Sequence, residues 1–311
     1  MAKTQHLLFA TAAVLTACAP AQRHEPFSDW SIESAKVVFT GRRGGVSDLY
    51  VFDRASGDTT RVTSLGTAER GVNAARVSRR SGRLAFQVRR GSDYEIHVMD
   101  QSSGRSRNVT KHPEYDVSPV WSPDGGQLAF MSTRGFELGS LGPFPGHIYV
   151  LSLDSQALEP VTREPLTSSL GPSDWSADGA RLLLARVSDQ APDIYELDLT
   201  TGAERRLTDS PQGEYSPRYS HSGQLIAFHS ESDDSAQIVV LDLQTGELRA
   251  VTAGPGLRYY PKWSPNDEWL LFTASDDGQQ YDLRAVRVSD GATIELVATA
   301  EDEREGEWWP W

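Results

Sequence analysis

The apolar residues of this chain fall in short runs broken by Gly, Pro, Asp and Ser, and the runs recur. The fragment from Trp121 to Phe130, "WSPDGGQLAF", carries an aromatic at each end, nine positions apart. The same separation returns for Trp30 and Phe39, Val77 and Phe86, Trp175 and Leu184, Tyr219 and Phe228, and Trp263 and Phe272. The second members follow one another at intervals of 47, 44, 54, 44 and 44 residues, so six repeats tile the chain with a period typical of stacked or radial β units.

Each repeat has one internal order. After the first aromatic comes a turn, as in Ser122-Pro123-Asp124-Gly125, Ser176-Ala177-Asp178-Gly179 and Ser264-Pro265-Asn266-Asp267, with Gly82 and Gly223 marking the other versions. Pro and Asp preset such a turn and Gly accepts positive φ. A short apolar strand follows (Leu84-Ala85-Phe86, Leu128-Ala129-Phe130, Ile226-Ala227-Phe228), then a third that alternates in places (Ile194-Tyr195-Glu196-Leu197-Asp198). A turn at Gly57, Gly104, Gly202, Gly246 or Gly291 leads to a fourth strand closing on Val62-Thr63, Val109-Thr110, Val161-Thr162, Leu207-Thr208 or Val251-Thr252. Four short antiparallel strands per repeat predict an all-β chain, a six-bladed β-propeller of four-stranded antiparallel blades. No stretch keeps helical periodicity, so one propeller over residues 27–311 is expected, with no second domain.

The motifs "SPVWSPDGGQLAFMSTRG", "HIYVLSLD" and "LEPVT" resemble the WD40-like repeat of TolB-type propellers, and the resemblance runs from Val37 to Trp311. It speaks to fold more than to function, because such blades serve scaffolds, peptidase gating domains and sugar-active enzymes alike. TolB carries an α/β domain ahead of its propeller; the stretch between Cys18 and the first blade is too short for one, and none is expected here. The tail "EGEWWPW" looks like the start of a seventh repeat, with Glu307 and Pro310 spaced as Asp116 and Pro119 are. It is expected to complete the first blade, as the last strand of TolB does, in competition with the segment around Trp30.

Composition narrows the function. The net charge of −13 over 311 residues argues against a nucleic-acid partner, which requires a basic footprint. The single cysteine leaves no intramolecular disulfide and no cysteine-based zinc site. That cysteine ends the apolar stretch "LLFATAAVLTA" in Leu15-Thr16-Ala17-Cys18, which resembles a bacterial lipobox. The expectations are a signal peptide over 1–17, an acylated Cys18, a tether over 18–26, and, from Ala19 by resemblance to Gram-negative lipoproteins, an outer-membrane anchor facing the periplasm.

Catalytic patterns are thin. There is no Gly-x-Ser-x-Gly, no His-Glu-x-x-His, no phosphate loop and no dinucleotide fingerprint. His221 and His229 are read as repeat variants, and Asp276-Asp277-Gly278 with Asp282 as a solvated turn without the calcium-loop glutamate. No metal or cofactor is expected.

Alternation of strands places the Ser-Pro-Asp-Gly and Gly57-type turns on one rim and the other hairpins and blade crossings on the opposite one. This hairpin rim is expected to carry Arg42, Arg43, Arg89, Arg90, Asp116, Arg134, Glu214, Arg258 and Glu307. It also carries the insertion Arg134 to Gly146, with Phe136 and Phe144 as apolar anchors. Its loops run basic in the first repeats (through Arg186) and acidic in the last two (Glu231, Asp233, Asp234, Asp276, Asp277). The expected function is a monomeric, non-enzymatic envelope module that binds a protein or peptide partner through this rim and the channel mouth. The alternative is a propeller hydrolase or lyase acting on a glycan or peptide. Replacement Cys18→Ser is expected to move the protein out of the membrane fraction or to accumulate unprocessed precursor, read by fractionation and immunoblot.

Overall fold

Six four-stranded sheets, each antiparallel, make up the described part of the chain. The structure is a computed structural model and describes residues 30–309 except 68, 92, 137–145, 163–164, 167–168 and 189–190. One short 3-10 turn, Ile32–Ser34, is the helical element among them, and none of the described helices is long and apolar enough to cross a membrane.

The innermost strands are Val72–Ser78, Asp116–Trp121, Ser169–Trp175, Gly213–Tyr219 and Leu257–Trp263 for blades two to six. Blade one takes its innermost strand from the far end of the chain. Glu303–Trp309 pairs antiparallel with Lys36–Arg43, with Lys36 opposite Trp309 and Gly41 opposite Glu303. The tail therefore closes the ring, and Trp30 does not. Trp30 lies outside the strand and meets the Trp308 ring edge-on, with centroids 5.2 Å apart; its nine-residue spacing to Phe39 is a coincidence.

An indole bond reveals the true register. The Trp121 indole N–H donates to the carbonyl of Arg76, that of Trp263 to the carbonyl of Arg218, and that of Trp308 to the carbonyl of Lys262, each at 2.8–3.0 Å. Trp308 is thus the repeat aromatic of blade one. Glu303, and not Glu307, then matches Asp116. The expected alignment was four residues out because Pro310 imitates the proline of the other repeats.

Every innermost strand is bulged. Ala74, Ser118, Gly171, Ser216, Tyr260 and Glu305 occupy equivalent positions with φ between 53° and 84°, and the sheet register shifts beside each. A left-handed residue inside a strand is costly for any side chain, so the sixfold recurrence marks a required bend. At Gly171 a Cβ would lie 3.1 Å from both Met131 and Ser118, which explains the glycine in blade four.

Two polar devices hold the repeats. In the turns, Ser122, Ser176, Ser220 and Ser264 accept the N–H five residues on at 2.9–3.0 Å. At the outer strands, the threonines of the Val-Thr pairs lie just past the fourth strand rather than within it. Thr63, Thr110, Thr162, Thr208 and Thr252 accept the N–H of Leu49, Ile96, Ile148, Ile194 and Ile238 at 2.9–3.1 Å. Between blades, Phe39, Phe86, Phe130, Leu184, Phe228 and Phe272 are buried. These positions are the second members of the repeated pair, and they fill the cores between neighbouring sheets.

Trp308 is 1% exposed. Trp308→Ala removes a buried indole and its bond to Lys262, and should cost about 3–5 kcal/mol, measured as a lowered urea midpoint. Trp30→Ala, at a half-buried position outside the sheet, should cost less than half of that.

Candidate functional site

Two positions in the repeat organise the charged residues, and each can be located by counting from the repeat aromatic. The first lies five residues before it, at the start of the innermost strand on the hairpin rim. It holds Glu303, Val72, Asp116, Glu214 and Arg258 in blades one, two, three, five and six. The residue four past the second member of the pair faces it from the end of the second strand: Arg43, Arg90, Arg134, Ser232 and Asp276 in the same blades.

Where these two positions carry opposite charges, they form a latch. Arg134 donates to both oxygens of the fully buried Asp116 at 2.9 Å and lies over the rings of Tyr149 and Phe130. Arg43 reaches the buried Glu303 at 2.7 Å and lies over Tyr50. Blade six reverses the signs, with Arg258 3.1 Å from Asp276, which also binds Arg284 at 2.7 Å. Asp116, Arg134, Arg43 and Arg258 are therefore bonded within their own blades. The division of the rim into basic and acidic arcs is correspondingly reduced, since Arg186 is also engaged, by Glu204.

Where the partner is missing, a charge is left over. Arg90 faces Val72 and stays exposed, as do Arg89 and Arg42. Phe136, at the base of the insertion, lies against the His147 ring with centroids 5.5 Å apart; Phe144 falls outside the described residues. Glu214 is 2% exposed and Ser232 offers it no cation. Burial pushes its carboxyl up to about 7, reinforced by Asp193 and opposed by a Thr208 hydrogen bond and Arg206.

The second position is the residue just before the aromatic. The bulge turns the strand so that Glu307, Arg76, Val120, Asp174, Arg218 and Lys262, from blades one to six in order, line the central channel below the Ser-Pro-Asp-Gly rim. Glu307 thus sits at the rim opposite to the one expected from sequence. The cavity there is about 510 Å3 and is also lined by Arg79, His221, Asp267 and the aromatics Trp121, Trp175, Tyr219 and Trp263.

Its charges are partly paired. Lys262 Nζ lies 3.2 Å from Glu307; the lysine side chain is almost wholly buried and that of Glu307 is partly buried. Arg218 stands 4.0 Å from Asp174, whose carboxylate accepts the N–H groups of Trp175 and Tyr219 at 2.9 Å. Burial would raise the Glu307 carboxyl, but Lys262, Arg218, Arg76 and Arg79 together hold it below the usual range. Lys262 is pushed well down by burial and by the neighbouring Arg218 and Arg76, against the pull of Glu307.

The Asp267 carboxylate lies 2.6 Å from His221 Nδ1, which donates to it, and also accepts the backbone N–H groups of His221 and Ser222. Burial lowers the His221 imidazole against the opposing pull of Asp267. His229, deep in blade five among Tyr215, Tyr259 and Tyr260, is depressed to about 3 by burial and stays neutral. Among the described residues no group of three or more His, Cys, Asp or Glu side chains is placed to hold a metal ion.

Sequence reasoning singled out the rim residues and passed over the channel ring. The available signal was a charged side chain immediately before the repeat aromatic, as in Lys262-Trp263 and Arg218-Tyr219.

The unpaired Glu214 sets a pH dependence. Its folded value lies above the ordinary 4.5, so the stability it permits is present in full below about 4.5 and is lost as pH rises through about 7. Glu214→Gln should be more stable than the parent at pH 8 by about 3 kcal/mol and close to it at pH 4.5, measured by urea unfolding at the two pH values.

Comparison with known proteins agrees with this architecture. The family model of the TolB beta propeller domain matches residues 142–310, more than half of the chain. The solved structure of TolB from Acinetobacter baumannii superposes with a TM-score of 0.75 at 18% identity, covering 89% of this chain and 67% of that one. A putative TolB from Agrobacterium tumefaciens gives 0.68 at 18% identity, covering 89% of this chain and all of that one. A curated relative, the uncharacterized protein Atu1656 of Agrobacterium fabrum, is 39% identical over 56 residues; the matched stretch is 18% of this chain and spans about a fifth of that protein, 19% of its length. With six four-stranded blades, closure by the last strand and this family match, the chain belongs to the TolB beta-propeller family.

Proposed function

We propose that the protein is a non-enzymatic binding scaffold of the cell envelope, a monomer tethered through an acylated Cys18, that receives a protein or peptide partner on one rim and at the mouth of its channel. The observation that carries this reading is the fixed ring of charge at the channel mouth. Arg76, Asp174, Arg218, Lys262 and Glu307 come from five blades and are set on rigid strands. Such a ring recognises complementary charge without reorganising. No described hydroxyl is hydrogen-bonded to the remaining ring nitrogen of His221, so its pairing with Asp267 does not extend to a nucleophile. On the hairpin rim, the exposed Arg42, Arg89 and Arg90 supply steering charge, with Phe136 and the insertion that follows it as an apolar anchor.

A second reading, a hydrolase or lyase acting on a glycan or peptide, is favoured by one observation. The Asp267–His221 pair borders the cavity, and an imidazole held by a carboxylate is the pairing that a general base for water uses. Turnover of peptidoglycan or peptide substrates that His221→Ala abolishes would establish it.

The full-length Cys18→Ser protein, immobilised and exposed to detergent-solubilised envelope, should capture one principal partner. Combined Arg42→Glu, Arg89→Glu and Arg90→Glu should slow association with that partner at low salt, with the deficit shrinking as salt rises. Capture of nothing above a charge-matched control, or unaltered association kinetics, would remove the rim from the reading.

A further inference from the structure

The cations around the channel mouth outnumber the carboxylates available to them, in a chain whose net charge is −13. Arg76, Arg79, Arg218 and Lys262 line one cavity with Glu307 and Asp174, while Asp267 is engaged by His221. Lys262 takes Glu307 and Arg218 stands beside Asp174. No carboxylate lies within ion-pair distance of Arg76 or Arg79 among the described residues. Arg76 instead donates to the carbonyl of Ala75 at 2.9 Å. Arg79, in the turn of blade two, donates to the carbonyl of Trp263 in blade six at 3.3 Å.

The donors are incompletely used. The Nε atoms of Arg76 and Arg218 are buried and have no partner, and Arg218 is 7% exposed. A buried guanidinium with spare N–H groups is costly unless an acceptor arrives. Its planar fork fits a carboxylate or another compact oxyanion. Trp121, Trp263 and Tyr219 border the same cavity, so an aromatic or apolar body attached to the anion would find contact area.

We propose that the channel mouth on the Ser-Pro-Asp-Gly rim is an anion site, in which Arg76, Arg79 and Arg218 bind the carboxylate of an aromatic or apolar acid. That carboxylate belongs either to a free small molecule or to the end of a peptide chain. The site takes one step beyond the scaffold reading and rests only on its claim that the channel mouth binds. It does not involve the hairpin rim.

Calorimetric titration of the full-length Cys18→Ser protein tests this with four probes. They are N-acetylphenylalanine, its neutral amide, and the peptide Gly-Gly-Ala-Ala-Phe with a free or an amidated C-terminus. The acids should bind at least about tenfold more tightly than their amides, the equivalent of one charge-assisted bond. A free-acid peptide tighter than N-acetylphenylalanine assigns the site to chain ends; equal affinities assign it to free small acids. Arg218→Gln risks misfolding, so Arg76→Gln and Arg79→Gln are the diagnostic variants. With melting temperatures kept, each should weaken the acids about tenfold and leave the amides unchanged. Acids and amides binding alike, neither binding, or unchanged affinity in both variants would overturn the proposal. Partner capture on the hairpin rim fails or succeeds independently of these outcomes.

Discussion

The propeller depends on one pairing, that of Lys36–Arg43 with Glu303–Trp309. A radial array of sheets buries its inter-blade faces only if the first and last blades meet, and an open ring leaves both a sheet edge and an apolar face to solvent. Here the meeting is covalently continuous, because the strand that packs against blade six is hydrogen-bonded into blade one. Trp308 is its anchor, buried between blades with its indole N–H on the Lys262 carbonyl. The same bond fixes Lys262 and its neighbour Glu307 at the channel. Closure and the charged ring are thus consequences of a single strand in a single register.

Charge complementarity within the repeat explains the opposite rim. Two repeat positions face each other in blades one, two, three, five and six, and the outcome follows from what occupies them. Asp116 with Arg134 and Glu303 with Arg43 form latches, and Arg258 with Asp276 forms the reversed one. Glu214 with Ser232 leaves a carboxyl that burial raises to about 7, so that it shares its proton about equally with solvent at neutral pH. Such sites add little net stability when both partners are present. They set which substitutions a blade tolerates, because removing Arg134 or Arg43 leaves Asp116 or Glu303 buried without its cation.

The blades were legible in the sequence because each device that makes one is local. The Ser-Pro-Asp-Gly turn spans four residues, and the second aromatic lies nine positions from the first. Closure was legible in outline, since "EGEWWPW" repeats the start of an innermost strand, but its register was not. Two tryptophans and a proline offered a match to Asp116-x-x-Pro119 four residues away from the true one. The bond from the Trp308 indole to a carbonyl 46 residues earlier and the left-handed Glu305 three residues before that tryptophan separate the two alignments. The channel ring escaped notice for a related reason. A charge beside an aromatic in a strand resembles ordinary alternation until a left-handed residue such as Tyr260 or Glu305 re-aims the next side chains inward. The latch between Arg43 and Glu303 joins positions 260 residues apart, and no short pattern announces it.

Closure by the last strand also has a consequence in time. Blade one begins at Lys36 and is completed at Trp309, so the ribosome must add roughly 270 residues between them. At about 5–20 residues per second this takes roughly 15–50 s. Throughout that interval the edge of Lys36–Arg43 waits unpaired, while blades two to six are able to form behind it. A chain that stops short of Glu303 retains five complete blades and an open edge. Synthesis through Trp309 is therefore the step that converts a β-rich chain prone to edge pairing into a sealed ring, and the channel site, which takes Glu307 from that strand, exists only once it is made.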